Sequence, residues 1–338
     1  MDNKVTKRRL SDLLSYEWIL IIVTCLAGIL LFEFLFTAFS VKLTVGQKFK
    51  YYFDHSVVGN YEAVMDFYGD NYPFSYDVLD FSGEQLGTNA DLLPTRLSVY
   101  EGDVIFTSNI VSETGTEQML VRSKVVLDYF SGYSYEIMLE DAKNYLLTYF
   151  MKDGLTKENA FSNYNEENFD LEKVEETFRV RMKKDNRYRK EEQIILGIND
   201  EYLRVKSLYK EVLDFERLIS YKEQYPDLFV NYTLYEQGLY YARATQADSL
   251  PQWEEDYKRE VDAGRINLIY ALNLDELSRH NPTGKKINPS RFVNLEGKNS
   301  AEKVCLTVFN FREQQPHLQF EAIPFINTLV RECSDLLD

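Results

Sequence analysis

Histidine, cysteine and the glycine-rich motifs of known enzymes are scarce in this chain of 338 residues. It contains three scattered histidines and three cysteines. The metal-binding patterns HExxH and CxxC are missing, and so are the phosphate loop GxxxxGKS/T, the nucleophile elbow GxSxG and a GxGxxG turn. These absences remove the usual classes of catalytic and cofactor site, so we expect no enzyme activity, no cofactor and no bound metal.

Basic residues are outnumbered as well. Lysine and arginine total 38 against 54 acids, which gives a formal net charge of -16. Nucleic-acid binding needs a basic surface, so we expect no nucleic-acid partner. The excess of acids fits a solvated domain instead. A hydrophobic content of 45%, with 25 Tyr and 22 Phe, predicts a large core and excludes wholesale disorder.

One basic segment departs from this balance. Residues 179–190, RVRMKKDNRYRK, contain seven Lys or Arg and one Asp. Such a run would suit an electrostatic contact with lipid headgroups, a polyanion or an acidic partner. The spacing favours the other interpretation, a solvated helix face neutralised by acids three or four residues away. Those acids are Glu172, Glu175, Glu176, Glu191 and Glu192.

A long apolar run near the N-terminus is the strongest signal in the sequence. Residues 18–39, WILIIVTCLAGILLFEFLFTAF, carry one charge in 22 positions. As a helix they extend about 33 Å, which is enough to cross a hydrocarbon core of about 30 Å. We therefore predict a transmembrane helix at 18–39 that anchors the protein in the lipid bilayer.

The charges around this run predict its orientation. Only Lys42 follows it closely, whereas four basic residues precede it, namely Lys4, Lys7, Arg8 and Arg9. The positive-inside rule then predicts a cytoplasmic tail at 1–17 and an extracytoplasmic domain at 41–338. A permanent anchor is favoured over a cleaved signal peptide, because signal-peptide cores have about 7 to 15 apolar residues. We expect a single-pass protein of the cell membrane.

Two features leave alternatives open. Glu33 lies inside the span, where a carboxylate either contacts another helix or sits near the outer interface. Cys305 and Cys333 either form a disulfide in an oxidising exterior or remain as two buried thiols. The sequence alone decides neither question.

Strand and helix patterns predict a βαβ unit early in the domain. Residues 75–81, SYDVLDF, and residues 103–107 are typical of strands, and residues 91–101 between them have apolar positions at helical spacing. Two strands joined by a helix pair in parallel through a right-handed crossover. We therefore expect SYDVLDF to lie beside the strand 103–107.

The middle of the domain, about 136–225, is predicted to be rich in helix. Residues 171–221 hold the longest helical repeat, and Gly197 to Asp200 should break it into two antiparallel arms. The other expected elements are strands at 41–54, 228–246 and 266–274, an exposed loop at 280–300, a strand or buried helix at 301–311, and a final helix interrupted at Pro324.

Small polar residues at the ends of the two predicted strands are candidates for ligand binding. In open parallel sheets, ligands bind beyond the carboxyl ends of the strands, where hydroxyl and amide groups can reach them. The segment after SYDVLDF should share that rim with the end of the strand 103–107. The candidates from these two segments are Ser82, Glu84, Thr107, Ser108 and Asn109.

In the order of these elements the chain resembles the carbohydrate-type extracellular solute-binding proteins of ABC importers. The resemblance rests on strand 75–81, helix 91–101 and strand 103–109, in which an acid, Asp103, opens the strand that ends at the ligand cleft. It also rests on the C-terminal order of strand, loop and closing helix. It implies an α/β fold in which a two-lobed, periplasmic-binding-like domain follows the transmembrane helix. The implied ligand is a small polar solute such as a sugar, and the implied partners are ABC-transporter membrane subunits.

The resemblance also implies that Tyr241 and Trp253 can stack on sugar rings, although aromatics in so aromatic a chain are more often core. The permanent anchor and the helix-rich section at 136–225 depart from the family pattern. We therefore expect a divergent, membrane-tethered solute-binding or accessory protein. The alternative is an envelope structural or assembly protein that binds another protein through its helical insert.

Overall fold

The computed structural model describes a membrane-length helix and a mixed α/β domain. The described residues are 18–39, 48–55, 57–71, 73–74, 78, 80–86, 96, 102–108, 134–183, 185–230, 255, 258, 262, 268–281, 284, 286–294, 301–308 and 320–338. Contacts divide the chain into two units, Met1–Thr44 and Val45–Asp338. The first contains the apolar helix and the second contains the mixed domain.

Helices and strands alternate along the described residues. The helices are α1 (Trp18–Phe39), α2 (Tyr61–Asp70), α3 (Tyr135–Tyr149), α4 (Lys157–Ala160), α5 (Leu171–Met182), α6 (Glu191–Ser220), α7 (Leu274–Arg279) and α8 (Ala322–Cys333). The strands are β1 (Lys48–Phe53), β2 (Val58–Gly59), β3 (Asp80–Gln85), β4 (Val104–Ser108), β5 (Phe229–Val230), β6 (Ala271–Asn273), β7 (Val293–Asn294) and β8 (Val304–Val308).

The N-terminal helix α1 has the length and composition of a membrane span. It covers 22 residues, and its segment Trp18–Phe36 has a mean hydropathy of 2.7 with none of it buried inside the protein. A helix that is apolar on all sides has no polar face for contact with water, which is typical of a membrane span when the protein does not bury the helix. The predicted span at 18–39 is therefore matched by a helix that fits a single membrane crossing.

Six strands form one mixed sheet in the order β3-β1-β4-β8-β6-β5. β1 pairs in parallel with both β3 and β4. β8 pairs antiparallel with β4 and with β6, and β6 pairs antiparallel with β5. β2 and β7 form a separate antiparallel ladder. The mixed α/β class is confirmed, and the arrangement in two lobes stays a prediction.

One face of the sheet, here called the aromatic face, is covered by α2 and α8. Phe49 of β1 stacks on Phe325 of α8 with ring centroids 4.9 Å apart, and Phe53 meets Tyr61 of α2 edge to face at 5.2 Å. Phe106 of β4 stacks on Phe53 at 5.1 Å. Burying one such side chain stabilises the fold by about 1.5–3 kcal/mol. This aromatic layer is therefore a main part of the core that holds the sheet to its helices.

The strand order differs from the predicted βαβ unit. The predicted strand at 103–107 is confirmed as the fully buried Val104–Ser108. The other described strand is Asp80–Gln85, so the predicted turn SGEQ is part of a strand, while 75–77 and 79 lie outside the described residues. The prediction that these two strands are neighbours is wrong, because β1 lies between them. β1 buries Phe49 and the run Tyr51 to Phe53, and a strand that is mostly buried belongs in the interior of a sheet.

The later strands follow the prediction in part. The segment 301–311, predicted as strand or buried helix, contains the buried strand Val304–Val308. Within 266–274 the strand is Ala271–Asn273, and Leu274 already begins α7. Within 228–246 the structure describes a strand at Phe229–Val230, and the positions from 231 onward lie outside the described residues.

The helix-rich middle section is confirmed, but its break lies elsewhere. α6 runs without interruption from Glu191 to Ser220, and the chain turns between Met182 and Glu191 instead of at 197–200. A Cβ atom on Gly197 would lie 2.2 Å from Cζ of Phe178. Glycine therefore serves at this position to let α5 pack closely on α6, and it does not end a helix.

Two C-terminal predictions need correction. Pro324 does not interrupt the last helix, because it is the third residue of α8, in the turn whose backbone N–H groups have no intrahelical acceptor. The segment 280–300 is not simply an exposed loop, since Phe292 and Val293 are buried. Cys305 and Cys333 are free and buried, which is the second of the two alternatives for these cysteines.

The basic run 179–190 is partly neutralised within the hairpin that α5 and α6 form. Arg179 contacts Glu175 at 2.7 Å, one helical turn before it, and Glu191 at 2.6 Å at the start of α6. Glu175 lies at the expected spacing of four residues, whereas Glu191, also among the predicted acids, reaches Arg179 across the hairpin. For Arg179 the interpretation as a neutralised helix face is confirmed.

A second part of the run is buried against α6. The carboxylate of Glu201 lies 2.5 Å from Arg181 and 2.9 Å from Arg204. Burial alone would raise the pKa of this carboxyl, but the two guanidinium groups lower it to about 2. Removing one partner of such a buried cluster costs about 3–5 kcal/mol, so these charges fix the hairpin in place.

Candidate functional site

The pairing of β1 with β4 sets the geometry at the two ends of these strands. At the start of β4, Asp103 accepts the backbone N–H of Lys50 on Oδ2 at 2.9 Å and donates its own N–H to the Lys50 carbonyl at 2.8 Å. At the other end, the N–H of Asp54 donates to the carbonyl of Phe106 at 2.8 Å. Asp103 therefore joins β4 to β1 through two hydrogen bonds, here called the Asp103 latch. At the other end of the pair, Asp54 lies beside Thr107.

The chain reverses its direction across the sheet between β1 and β4. From β1 it passes through α2 to β3 at the edge, and from β3 it returns past β1 to β4. α2 covers the aromatic face. Arg96, which is helical in the returning connection, pairs with Glu84 at 2.8 Å on the opposite face. Ligands of open α/β sheets bind at such a switch point, beyond the carboxyl ends of the strands.

The loop after β1 brings a carboxylate and an imidazole to this point. Asp54 is 1% exposed, and its Oδ1 lies 3.3 Å from Nδ1 of the exposed His55. Gln85, at the end of β3, holds the loop in place. Its Nε2 donates to three backbone carbonyls within residues 53–57 at 2.8 to 3.2 Å, and its Oε1 accepts the N–H of Gly59.

Thr107 brings a buried hydroxyl to the carboxyl end of β4. The residue is fully buried, and within the described part of the chain its Oγ1 has no hydrogen-bond partner. Its neighbour on β8 is Cys305, whose thiol stays neutral because burial raises its pKa to about 12. An unmade hydrogen bond of a buried group costs about 1–3 kcal/mol. A polar ligand that reached Oγ1 would recover that energy.

The structure separates the other predicted residues of the segment 107–109. Successive residues of a strand point to opposite faces, so Ser108 turns toward the aromatic face while Thr107 turns toward the other face, here called the polar face. Asn109 lies outside the described residues, as do Tyr241 and Trp253. From this segment, Thr107 is therefore the residue that the structure places at the switch point and on the polar face.

Ser82 and Glu84 share the polar face with Thr107 but lie on β3. Their register partners are on β1, so two strand spacings, about 10 Å, separate β3 from β4. Glu84 lies 3.7 Å from Lys50 and 2.8 Å from Arg96, so two cations of the chain neutralise it. The expectation that these residues follow the end of their strand is wrong, because the strand runs on to Gln85.

Sequence reasoning missed Asp54, His55 and Gln85. One signal was present, since Asp54 and His55 follow the aromatic strand KFKYYF as Thr107 follows the apolar run of β4. His55 is one of the three scattered histidines, and the sequence does not indicate that it lies near the end of a second strand. Asp54, the residue before it, bonds the Phe106 carbonyl 52 positions away, and only the β1–β4 pairing brings the two segments together.

Asp54, His55 and Thr107 together form a small set of hydrogen-bonding groups. A carboxylate accepts hydrogen bonds, a hydroxyl donates and accepts, and a neutral imidazole does one at each nitrogen. Such a set suits the hydroxyl groups of a polar ligand. Within the described ranges, no three His, Cys, Asp or Glu side chains are grouped so as to hold a metal ion.

No family model, curated protein or solved structure matches the chain.

We predict that Thr107→Val leaves the empty domain as stable as before or raises its free energy of unfolding by about 1 kcal/mol. Valine has nearly the same shape and removes a buried hydroxyl that has no partner among the described residues. The measurement is urea unfolding without added solute. Thr177→Val is the control, because its hydroxyl donates to the Tyr149 carbonyl at 3.1 Å and its loss should cost about 1 kcal/mol. Equal losses in both variants would contradict the unsatisfied state of Thr107.

Proposed function

We propose that this protein is a membrane-tethered extracytoplasmic solute-binding or accessory protein that works beside an ABC-type importer. Its ligand would be a small polar solute, with a sugar as the first candidate. The observation that carries the proposal is the switch point between β1 and β4, where the Asp54 N–H bonds the Phe106 carbonyl, next to the buried Thr107, and His55 lies 3.3 Å from the Asp54 carboxylate. A binding protein needs such convergent polar groups and no catalytic machinery.

The proposal keeps the expected two-lobed arrangement of the domain. In it, the described sheet belongs to the lobe that contributes Asp54 and Thr107. Tyr241 and Trp253 remain candidates for stacking on a sugar ring from the facing wall, since aromatic faces offer a flat apolar surface. Ser82 and Glu84 remain candidates on the polar face, although Glu84 would have to exchange one of its two cations for a ligand.

The proposed orientation places the N-terminus in the cytoplasm and the mixed domain outside the cell. Its support is the apolar helix α1 together with the basic residues before it. We predict that protease added to intact cells removes the domain and leaves a fragment of about the first 40 residues, the length up to the end of the span. A mature N-terminus near Val41, found by mass spectrometry, would contradict the anchor.

A second candidate function is an envelope assembly protein that docks a partner through its helical section. The observation that favours it is the exposure of large aliphatic side chains on the outside of the hairpin, among them Leu196 and Leu203 of α6, at 64% and 61%. Solvent-facing leucines at helical spacing are typical of a contact surface. Copurification of a partner without any solute-dependent stabilisation would favour this candidate.

We predict that residues 45–338 are stabilised by a member of a panel of mono- and disaccharides and short peptides. At a free concentration of a hundred times Kd a ligand stabilises the fold by about 2.7 kcal/mol. The readout is a rise of several degrees in Tm, followed by calorimetric titration. Asp54→Asn and Thr107→Val should each weaken binding by about 1–3 kcal/mol, because each removes one polar contact to the solute.

Thr177→Val serves as the control for this experiment as well, since the residue lies on α5 and outside the switch point. It should lower Tm but leave Kd unchanged. Failure of the whole panel to shift Tm would count against solute binding. Binding that is indifferent to both Asp54 and Thr107 would place the ligand elsewhere and reject the site.

A further inference from the structure

The outer face of α6 carries large apolar side chains that nothing in the described chain covers. Ile195, Leu196 and Leu203 are 52%, 64% and 61% exposed, whereas Val205 and Leu208 of the same helix are fully buried. Seven residues make nearly two helical turns, so Leu196 and Leu203 lie one above the other. Single exposed leucines are common, but three large aliphatics on one short stretch of helix form a patch.

The patch belongs to a longer pattern along the same face. Residues at alternating spacings of four and three define the seam that one helix presents to another in a coiled coil. On α6 these seam residues are Glu192, Leu196, Asn199, Leu203, Lys206 and Lys210. The buried face of α6 points the other way, toward α3, α5 and α8.

The charges of this seam are arranged in a self-complementary order. An acid, Glu192, stands at its N-terminal end and a lysine, Lys210, stands at its C-terminal end, with the leucines between them. If a second α6 runs antiparallel across a twofold axis near residue 201, each Glu192 meets Lys210 of the other copy. In the same register Asn199 of each copy meets Leu203 of the other. A parallel arrangement would place like charges together at both ends.

We propose that a second copy of this chain packs antiparallel against the outer face of α6. The seam meets the requirement of an isologous contact, in which one patch is complementary to itself. Lys206 already bonds Glu166 at 2.7 Å, and its side chain is 20% exposed. Its aliphatic stem is therefore held beside the seam, where it can pack on Leu196 of the other copy.

The contact is small, so we expect it to form between copies that are held in the same membrane. Three exposed aliphatic side chains give an interface below the roughly 1,000 Å² that a stable soluble complex buries. The chain also contains a helix long and apolar enough to anchor it in a bilayer. Tethering two copies in one membrane raises their effective concentration, so a weak contact becomes populated there. The test therefore uses the full chain in lipid vesicles.

The experiment measures proximity between the α6 helices of two copies. Asn199→Cys is introduced together with Cys25→Ser, and the full chain is reconstituted into vesicles and treated with a short bismaleimide. The native Cys305 and Cys333 are fully buried and should not react. Ser220→Cys is the matched control, because it is exposed on the same helix but would lie about 57 Å from its counterpart in the antiparallel pair.

The proposal predicts a crosslinked dimer for Cys at 199 at least fivefold above that for Cys at 220. Glu192→Lys or Lys210→Glu should each lower the yield about three- to tenfold, and the two together should restore it. Leu203→Asp should abolish the dimer, whereas Leu171→Asp, equally exposed at the start of α5, should not. Equal yields at 199 and 220, or no rescue by the double charge reversal, would overturn the proposal. Crosslinking of Cys at 199 to a different protein in cells, in place of a second copy, would also overturn it.

Discussion

Hydrogen bonds at both ends of one parallel ladder hold β1 beside β4, and the remainder of the domain is arranged around that pair. The Asp103 latch fixes the start of the ladder and the Asp54 N–H closes its end. Because the register is fixed at both ends, Phe53 and Phe106 stack on the aromatic face, where α2 and α8 bury them. The same register sets Asp54 beside Thr107. Core and candidate site therefore depend on the same backbone contacts.

Local patterns in the sequence predict much of the fold, and long-range pairing is where they fail. The strand at 103–107, the helical middle section and the apolar helix at 18–39 follow from periodicity that neighbouring residues display. The identity of the strand next to β4 does not, because the predicted strand SYDVLDF and the segment KFKYYF of β1 both have enough apolar residues to fill that place. Gly197 shows a related limit, since a glycine that permits close packing looks in sequence like a glycine that ends a helix.

The candidate site was predictable to the extent that it follows strand ends. The position of Thr107 after an apolar run predicts it as a site residue. Asp54 and His55 are not predicted, because their relation to Thr107 exists only across the sheet. Ser82 and Glu84 were placed beyond the strand end because the strand was predicted to stop four residues too early, at Phe81 rather than at Gln85. In the proposed arrangement, a membrane anchor holds two copies near each other. Solute binding at this site and the weak contact between two α6 helices then take place in the same membrane.

The central claim is that a polar solute binds where β1 and β4 end, in contact with Thr107. Its most direct test is an NMR titration of residues 45–338 carrying ¹³C-labelled threonine methyl groups and histidine rings, with the solute that raises Tm most. We expect the Thr107 methyl and the His55 ring to shift together with one Kd, while the signal of the Thr177 methyl stays unchanged. Saturable binding that moves other threonines but leaves Thr107 and His55 unchanged would contradict it.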